Sequence, residues 1–155
     1  DKRFSFAEIC DAAKAADLSS VVDCQDAAFL APDSMIDAIK DACRRTGQAV
    51  PETVGEIGAV IYNSLALCYR DAVKELEALT GITYDAIHIV GGGSKDEYLN
   101  ELTAKATGKP VFAGPTEATA LGNLLTQMIT AGALSDLTAA RRSVKAAFPI
   151  TVFEP

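Results

Sequence analysis

The sequence has no tryptophan, and its aromatic content is only 6%. Its apolar residues are instead dominated by alanine and aliphatics, which favours helices over a β-sandwich. Histidine occurs once, and the four cysteines, Cys10, Cys24, Cys43 and Cys68, form no CxxC pair. A structural zinc needs four clustered thiolates or imidazoles, so that class is set aside. A disulfide framework is also set aside, because a chain of this size can build an ordinary core. The thiols are expected to be reduced and mostly buried, as in a cytoplasmic protein. Basic residues are outnumbered, 14 against 21 acids, for a net charge of −7. They come together in nothing longer than pairs: Lys2-Arg3, Arg44-Arg45 and Arg141-Arg142. Nucleic-acid binding needs a concentrated positive face, so no such partner is expected. No apolar run reaches the ~18 residues of a membrane helix. The richest run, residues 59–69, is interrupted by Asn63 and Ser64. No leader of basic-then-apolar type opens the chain, and no membrane partner is expected.

What is present is the balance of a folded domain. The chain has 155 residues, 49% hydrophobic and 23% charged. That length fits a single domain over 1–155. Residues 6–16 read as a short helix, and 18–30 as a loop with an extended piece at Val21-Val22. Pro32-Asp33-Ser34 opens a second helix that Gly47 ends. From Val54 to Thr80, Ile57, Ile61, Leu65, Cys68, Ala72, Leu76 and Leu79 recur at steps of three and four, one face of a helix roughly 40 Å long. Val60, Leu67 and Val73 lie off that stripe, pointing to a second covered side.

The pattern then changes. Residues 86–90, Ala-Ile-His-Ile-Val, read as a buried parallel strand. His88 within it reads as a hydrogen-bonded core residue. Gly91-Gly92-Gly93 follows, and Ser94-Lys95-Asp96-Glu97 has the form of a capping box, with Ser94 as the cap. A helix to Thr107, a second strand at 110–113, a helix over 117–131, a last helix over 135–147 and an extended tail complete the chain. Ala118, Leu121, Leu125, Met128 and Ile129 form the buried side of the 117–131 helix. Two strands are a poor core by themselves. Together with Asp1 in place of an initiating Met, this suggests a piece of a longer protein.

The chemistry concentrates at Gly91, Gly92, Gly93 and Ser94. Glycine lets backbone come close to a ligand, and a helix start offers free N–H groups and partial positive charge. A base, a ribose or a phosphate would each fit such a bend. Close strand–helix packing would equally call for glycines. No Walker A loop is present, since Gly108-Lys109 runs into Pro110, and Asp96 stands where a dinucleotide fingerprint needs its last glycine. In Gly114–Asn123 the small residues Ala118, Ala120 and Gly122 suit close helix packing, while Glu117 and Asn123 are candidates for shaping a cleft. No serine or cysteine nucleophile with a base stands out, and no carboxylate pair. No catalytic residue and no metal ligand are therefore assigned.

A succession of short stretches carries a resemblance. PDSMIDAI (32–39), TGQAVPETVGE (46–56), SLALCYR (64–70), ELEALTG (75–81), IHIVGGGS (87–94), LTAKATGKPVFAGPTEATALGN (102–123) and FEP (153–155) occur in this order. Together they resemble the C-terminal domain of the FGGY carbohydrate kinases, within that family most closely the rhamnulokinase group. The resemblance implies an α/β fold of the actin-like ATPase (ribonuclease H-like) class, helix-rich with a short, mainly parallel sheet. It also implies a phosphotransferase that uses ATP, with Mg bound mainly by the nucleotide and an absent N-terminal domain. The ketose would be held by that absent domain, and its 1-hydroxyl, in L-rhamnulose, would accept the phosphate. This chain would supply the adenosine side of the ATP/ADP site, with Gly92 the leading contact, and would be inactive alone. The family's GGGSQN pattern has Lys95-Asp96 here, so no side-chain contact is carried over to those positions. The rivals are another sugar kinase, such as a fuculokinase or xylulokinase, and a non-enzymatic actin-like nucleotide-binding module.

Overall fold

Side-chain caps set where most of the helices begin. The computed structural model describes residues 3–155. The chain divides into two compact units, residues 1–81 and 82–155.

In the first unit, Ser5 and Glu8 form a reciprocal capping box that starts α1, Phe6–Ala15. Ser34 caps α2, Met35–Arg45. Thr53 and Glu56 form a second capping box at the head of α3, Val54–Thr80, and Gly81 ends α3 in the left-handed region at φ 68°. α1 lies on the first half of α3 at very close range. A Cβ built on Gly55 would stand 2.6 Å from the Ala12 carbonyl oxygen, and one on Gly58 would stand 3.0 Å from the Ala13 Cβ. Only glycine permits this approach.

The buried face of α3 is therefore Gly55, Gly58, Ala59, Val60, Tyr62, Ser64 and Ala66, which differs from the stripe expected from periodicity. Of that stripe, Ile61, Leu76 and Leu79 are 38%, 51% and 77% exposed. Two physical causes account for the difference. Close helix packing selects small residues, which a search for large apolar ones passes over. And α1, with 10 residues, spans about 15 Å beside the roughly 40 Å of the 27-residue α3. The expected second covered side is real at Val60, which joins Ile39 and Cys43 in a core flanked by Leu18, Val22, Phe29, Val50 and Ile57. Fully burying a side chain such as Val60 contributes about 1.5–3 kcal/mol. The loop before α2 forms no strand at Val21-Val22. Its backbone polar groups are satisfied by side chains: Val21 N–H by Gln48 Oε1 at 2.9 Å, the Val21 carbonyl by Gln48 Nε2 at 2.7 Å, and Val22 N–H by Ser64 Oγ at 2.9 Å. All four cysteines are free, but only Cys43 is buried; Cys10, Cys24 and Cys68 are half-buried.

The second unit is a strand–helix–strand element with a returning tail. β1 (Ile87–Ile89) and β2 (Val111–Ala113) pair in parallel around α4 (Glu97–Thr107), with Ile87 opposite Val111 and Ile89 opposite Ala113. After α5 (Ala118–Thr130) and α6 (Leu137–Ala147), β3 (Thr151–Phe153) pairs antiparallel to β2. The sheet order is β1-β2-β3. The sheet is thus mixed, not mainly parallel, because the expected tail becomes its third strand. Val111 and Ala113 are buried at its centre.

β1 is less buried than its apolar run suggested. His88 is exposed and stacks on Phe112, ring centroids 5.1 Å apart at 15°. Ile87 and Ile89 are half-buried while His88 between them is exposed, so β1 is covered on one face only, which the apolar run concealed. The expected side of α5 is the more covered one, yet no residue of α5 is fully buried. Ala120 and Gly122 are exposed, and a Cβ on Gly122 would meet nothing within 4 Å. Among the described residues, these small side chains therefore do not serve close packing.

Candidate functional site

The parallel ladder of β1 and β2 does not stop with the strands. Gly114 N–H donates to the Ile89 carbonyl at 2.8 Å, and Gly91 N–H donates to the Pro115 carbonyl at 3.1 Å. The two loops leaving the carboxyl ends of β1 and β2 are thereby held side by side, where open α/β sheets place their ligand crevices. Gly91–Lys95 winds as a short 3-10 turn. Ser94 Oγ donates back to the Gly91 carbonyl at 2.7 Å and lies 3.5 Å from Thr116 Oγ1 on the neighbouring loop.

Ser94 is therefore not the cap of α4. Asp96 is, with its Oδ1 accepting from Leu99 N–H at 3.1 Å. The capping box shifts because the glycines carry the turn two residues further than a direct strand-to-helix step would. The cap also accounts for Asp96 where the family pattern has Asn, since either side chain presents an Oδ1 acceptor. An acid at the cap, with Glu97 in the first turn, already offsets the positive end of α4. This helix mouth is a poor seat for a phosphate, unlike the open helix start read from the sequence.

The three glycines differ in what holds them. Gly91 has φ 76°, which side-chain-bearing residues rarely adopt. A Cβ on Gly92 would meet nothing within 4 Å, and one on Gly93 would make an ordinary 3.6 Å contact with Ile89. Close packing therefore does not require glycine at Gly92 or Gly93. What these two residues present is bare, exposed main chain.

Beside the turn lies a groove of about 270 Å³, walled by Ser94, Gly114-Pro115, Thr116, Glu117 and Phe148-Pro149. This is slightly below the ~300–1,000 Å³ of a complete small-molecule pocket. Gly114 is needed for its shape. It has φ 122°, and a Cβ there would stand 3.0 Å from the Pro149 carbonyl oxygen. Behind the turn, Asn100 is 1% exposed. Its Nδ2 donates to the Ser94 carbonyl at 3.2 Å, while its Oδ1 has no partner.

Of the residues singled out in the sequence, Ser94 and Glu117 share the groove wall, and Gly91 is tied to Pro115 of that wall. Glu117 is exposed, and its side chain makes no cap on α5. Asn123 lies on the exposed face of α5 and is not a wall residue. Thr116, Phe148, Pro149 and Asn100 were not singled out. Thr116 sits inside the Gly114–Asn123 stretch, where a local reading was within reach. Phe148 and Pro149 arrive only through the pairing of β3 with β2, which no local motif encodes. No group of three or more His, Cys, Asp or Glu side chains able to hold a metal occurs among the described residues.

Comparison with known proteins decides the family. Residues 2–131 match the profile of the FGGY family of carbohydrate kinases, C-terminal domain. The chain belongs to this family. Among curated FGGY relatives, the rhamnulokinase of Bacillus subtilis is 44% identical over 153 residues, covering 98% of this chain and 32% of the relative. The rhamnulokinase of Oceanobacillus iheyensis is 41% identical over 150 residues, 97% of this chain and 32% of the relative. That of Enterococcus faecalis is 43% identical over 155 residues, 98% of this chain and 31% of the relative. The chain spans about a third of the length of these proteins. The FGGY profile ends at residue 131, whereas the rhamnulokinase likeness extends through β3.

Proposed function

We propose that this chain is the nucleotide-side domain of a sugar kinase that transfers phosphate from ATP to the 1-hydroxyl of L-rhamnulose. The observation that carries this reading is the bare backbone at Gly92 and Gly93. It adjoins Ser94, the residue of the turn that lines a groove at the ends of the parallel strands, and packing does not explain it. The rhamnulokinase relatives, 41–44% identical across nearly the whole chain, support the choice of sugar.

In this reading the fold is that of an actin-like ATPase, and a second domain closes over the groove. Adenosine lies against Gly91–Gly93, with Ser94, Thr116 and Glu117 bordering the ribose side. The acid-capped α4 directs the phosphates away from this chain, toward the closing domain. That domain supplies the base for the sugar hydroxyl and the ligands for Mg²⁺, and closure excludes water from the transfer. This chain contributes binding and orientation of the nucleotide, not acid–base chemistry. A protein of this kind acts in the cytoplasm on free ketose and ATP, releasing ADP.

The test is a coupled ADP-release assay of the kinase that contains this chain, run against L-rhamnulose, L-fuculose and D-xylulose. The reading expects the highest kcat/KM with L-rhamnulose and no ketose-dependent ADP release from the 155 residues alone. A preference for another ketose, or phosphorylation by the 155 residues alone, would contradict it.

A further inference from the structure

The first unit holds a larger groove, of about 500 Å³, between the loop at 21–25 and the outer face of α3. Cys24 lines it from the loop and Cys68 from the helix. The backbone explains why the two meet. Val22 N–H is fixed to Ser64 Oγ at 2.9 Å. Ser64 and Cys68 are one helical turn apart on the same face of α3, and Cys24 lies two residues beyond Val22. The loop thus carries one thiol into the groove that the other lines. Both are half-buried and free. The remaining thiols are placed differently: Cys43 is buried in the core, and Cys10 Sγ is 2.8 Å from Tyr62 Oη.

We propose that Cys24 and Cys68 form a reversible dithiol–disulfide site, oxidised by a low-molecular-weight disulfide such as glutathione disulfide. The Cys68 thiolate attacks one sulfur of glutathione disulfide. The Cys68–glutathione bond forms, the glutathione S–S bond breaks, and one glutathione thiolate leaves. The Cys24 thiolate then attacks the Cys68 sulfur, forming the Cys24–Cys68 bond and releasing the second glutathione thiolate. In sum, two cysteine thiols lose two protons and two electrons, and glutathione disulfide becomes two glutathione thiols.

Burial, followed by the neighbouring Cys68 and Asp23, pushes the Cys24 thiol above its ordinary value. The facing titratable groups of the groove, Asp23, Asp71 and Glu75, are acids that oppose a thiolate there. Cys24 is accordingly the resolving thiol, acting only once the mixed disulfide stands beside it. The new bond would pin the 21–25 loop to α3.

The experiment treats the folded chain with glutathione disulfide, then applies intact mass spectrometry and peptide mapping without reduction. The expected result is a loss of two hydrogens that a reductant reverses. The Cys24 and Cys68 peptides should be joined, with Cys10 and Cys43 free. Cys24→Ser should trap one glutathione on Cys68, because no resolving thiol remains. Persistent glutathione on wild-type Cys24 or Cys68 without the internal link would overturn the proposal. So would a dominant link through Cys10 or Cys43, or no reaction in the folded chain when the unfolded chain reacts. The wild-type map decides even if a serine variant fails to fold.

Discussion

Asn100 Nδ2 donates to the Ser94 carbonyl at 3.2 Å, tying α4 to the glycine turn from behind. Its Oδ1 is buried and unpartnered, so this side chain holds its place at some energetic cost. Asn100→Ala leaves the Ser94 carbonyl without this donor and should destabilise the chain by about 1–3 kcal/mol. The backbone amides of 92–95 should exchange faster than in wild type. Thermal melts and hydrogen exchange check both parts. Unchanged exchange in that segment would show that the tether does not hold the turn.

Gly114 and Gly92 should respond unequally to alanine. At Gly114 the added Cβ meets the Pro149 carbonyl oxygen at 3.0 Å on a backbone at φ 122°. Strain of that kind costs about 1–3 kcal/mol. At Gly92 the Cβ enters open space, and the change should lie within about 0.5 kcal/mol. Chemical denaturation of the two variants measures the difference. Equal loss in both would mean that the open space at Gly92 is wrong.

Gly55→Val tests the contact between α1 and α3. Its Cβ would stand 2.6 Å from the Ala12 carbonyl oxygen, so one helix must move. Overpacking of this type costs about 1–3 kcal/mol, occasionally more. A lower melting temperature is expected, with loss of α1 protection in hydrogen exchange.

The capping carboxylates predict an acid-side loss of stability. Backbone N–H groups, chiefly of Ser5, Thr53 and Ala139, hold Glu8, Glu56 and Asp136 below the ordinary carboxylate range. Asp26 is lowered in the same way by Ala28 N–H, then by Arg45. A carboxyl lowered in the folded state binds protons more readily when unfolded. Its contribution is therefore complete above the ordinary values of 4.5 for Glu and 3.8 for Asp, and disappears as pH falls through the lowered folded values. Melting temperature should be flat in this respect from neutral pH to about 5 and drop below it. Glu56→Gln should reduce the size of that drop.

Local chemistry made the helices legible. Prolines, capping boxes and stop glycines mark their ends, and α2 and α3 begin and end where the sequence places them. The pairing of β1 with β2 was also legible, from a short apolar run, a glycine bend and an intervening helix. Burial was not. Periodicity identifies large residues at helical spacing, but α3 packs through Gly55, Gly58 and Ala59, whose value lies in their lack of size. At the site, Gly91–Ser94 stood out because glycine clusters are conspicuous. Phe148 and Pro149 did not, because only the return of β3 beside β2 carries them to the groove. Asp96 displaced Ser94 as the cap because a 3-10 turn, which consumes residues before α4 begins, leaves no distinct sequence mark.

The most direct test of the account is Gly92→Val in the kinase that contains this chain, with KM measured for ATP and for L-rhamnulose. The branched side chain would fill the space where adenosine is proposed to lie. KM for ATP should rise by about tenfold or more, with KM for the ketose and the melting temperature little changed. An unaltered KM for ATP in a folded Gly92→Val protein would contradict the placement of the nucleotide against this backbone.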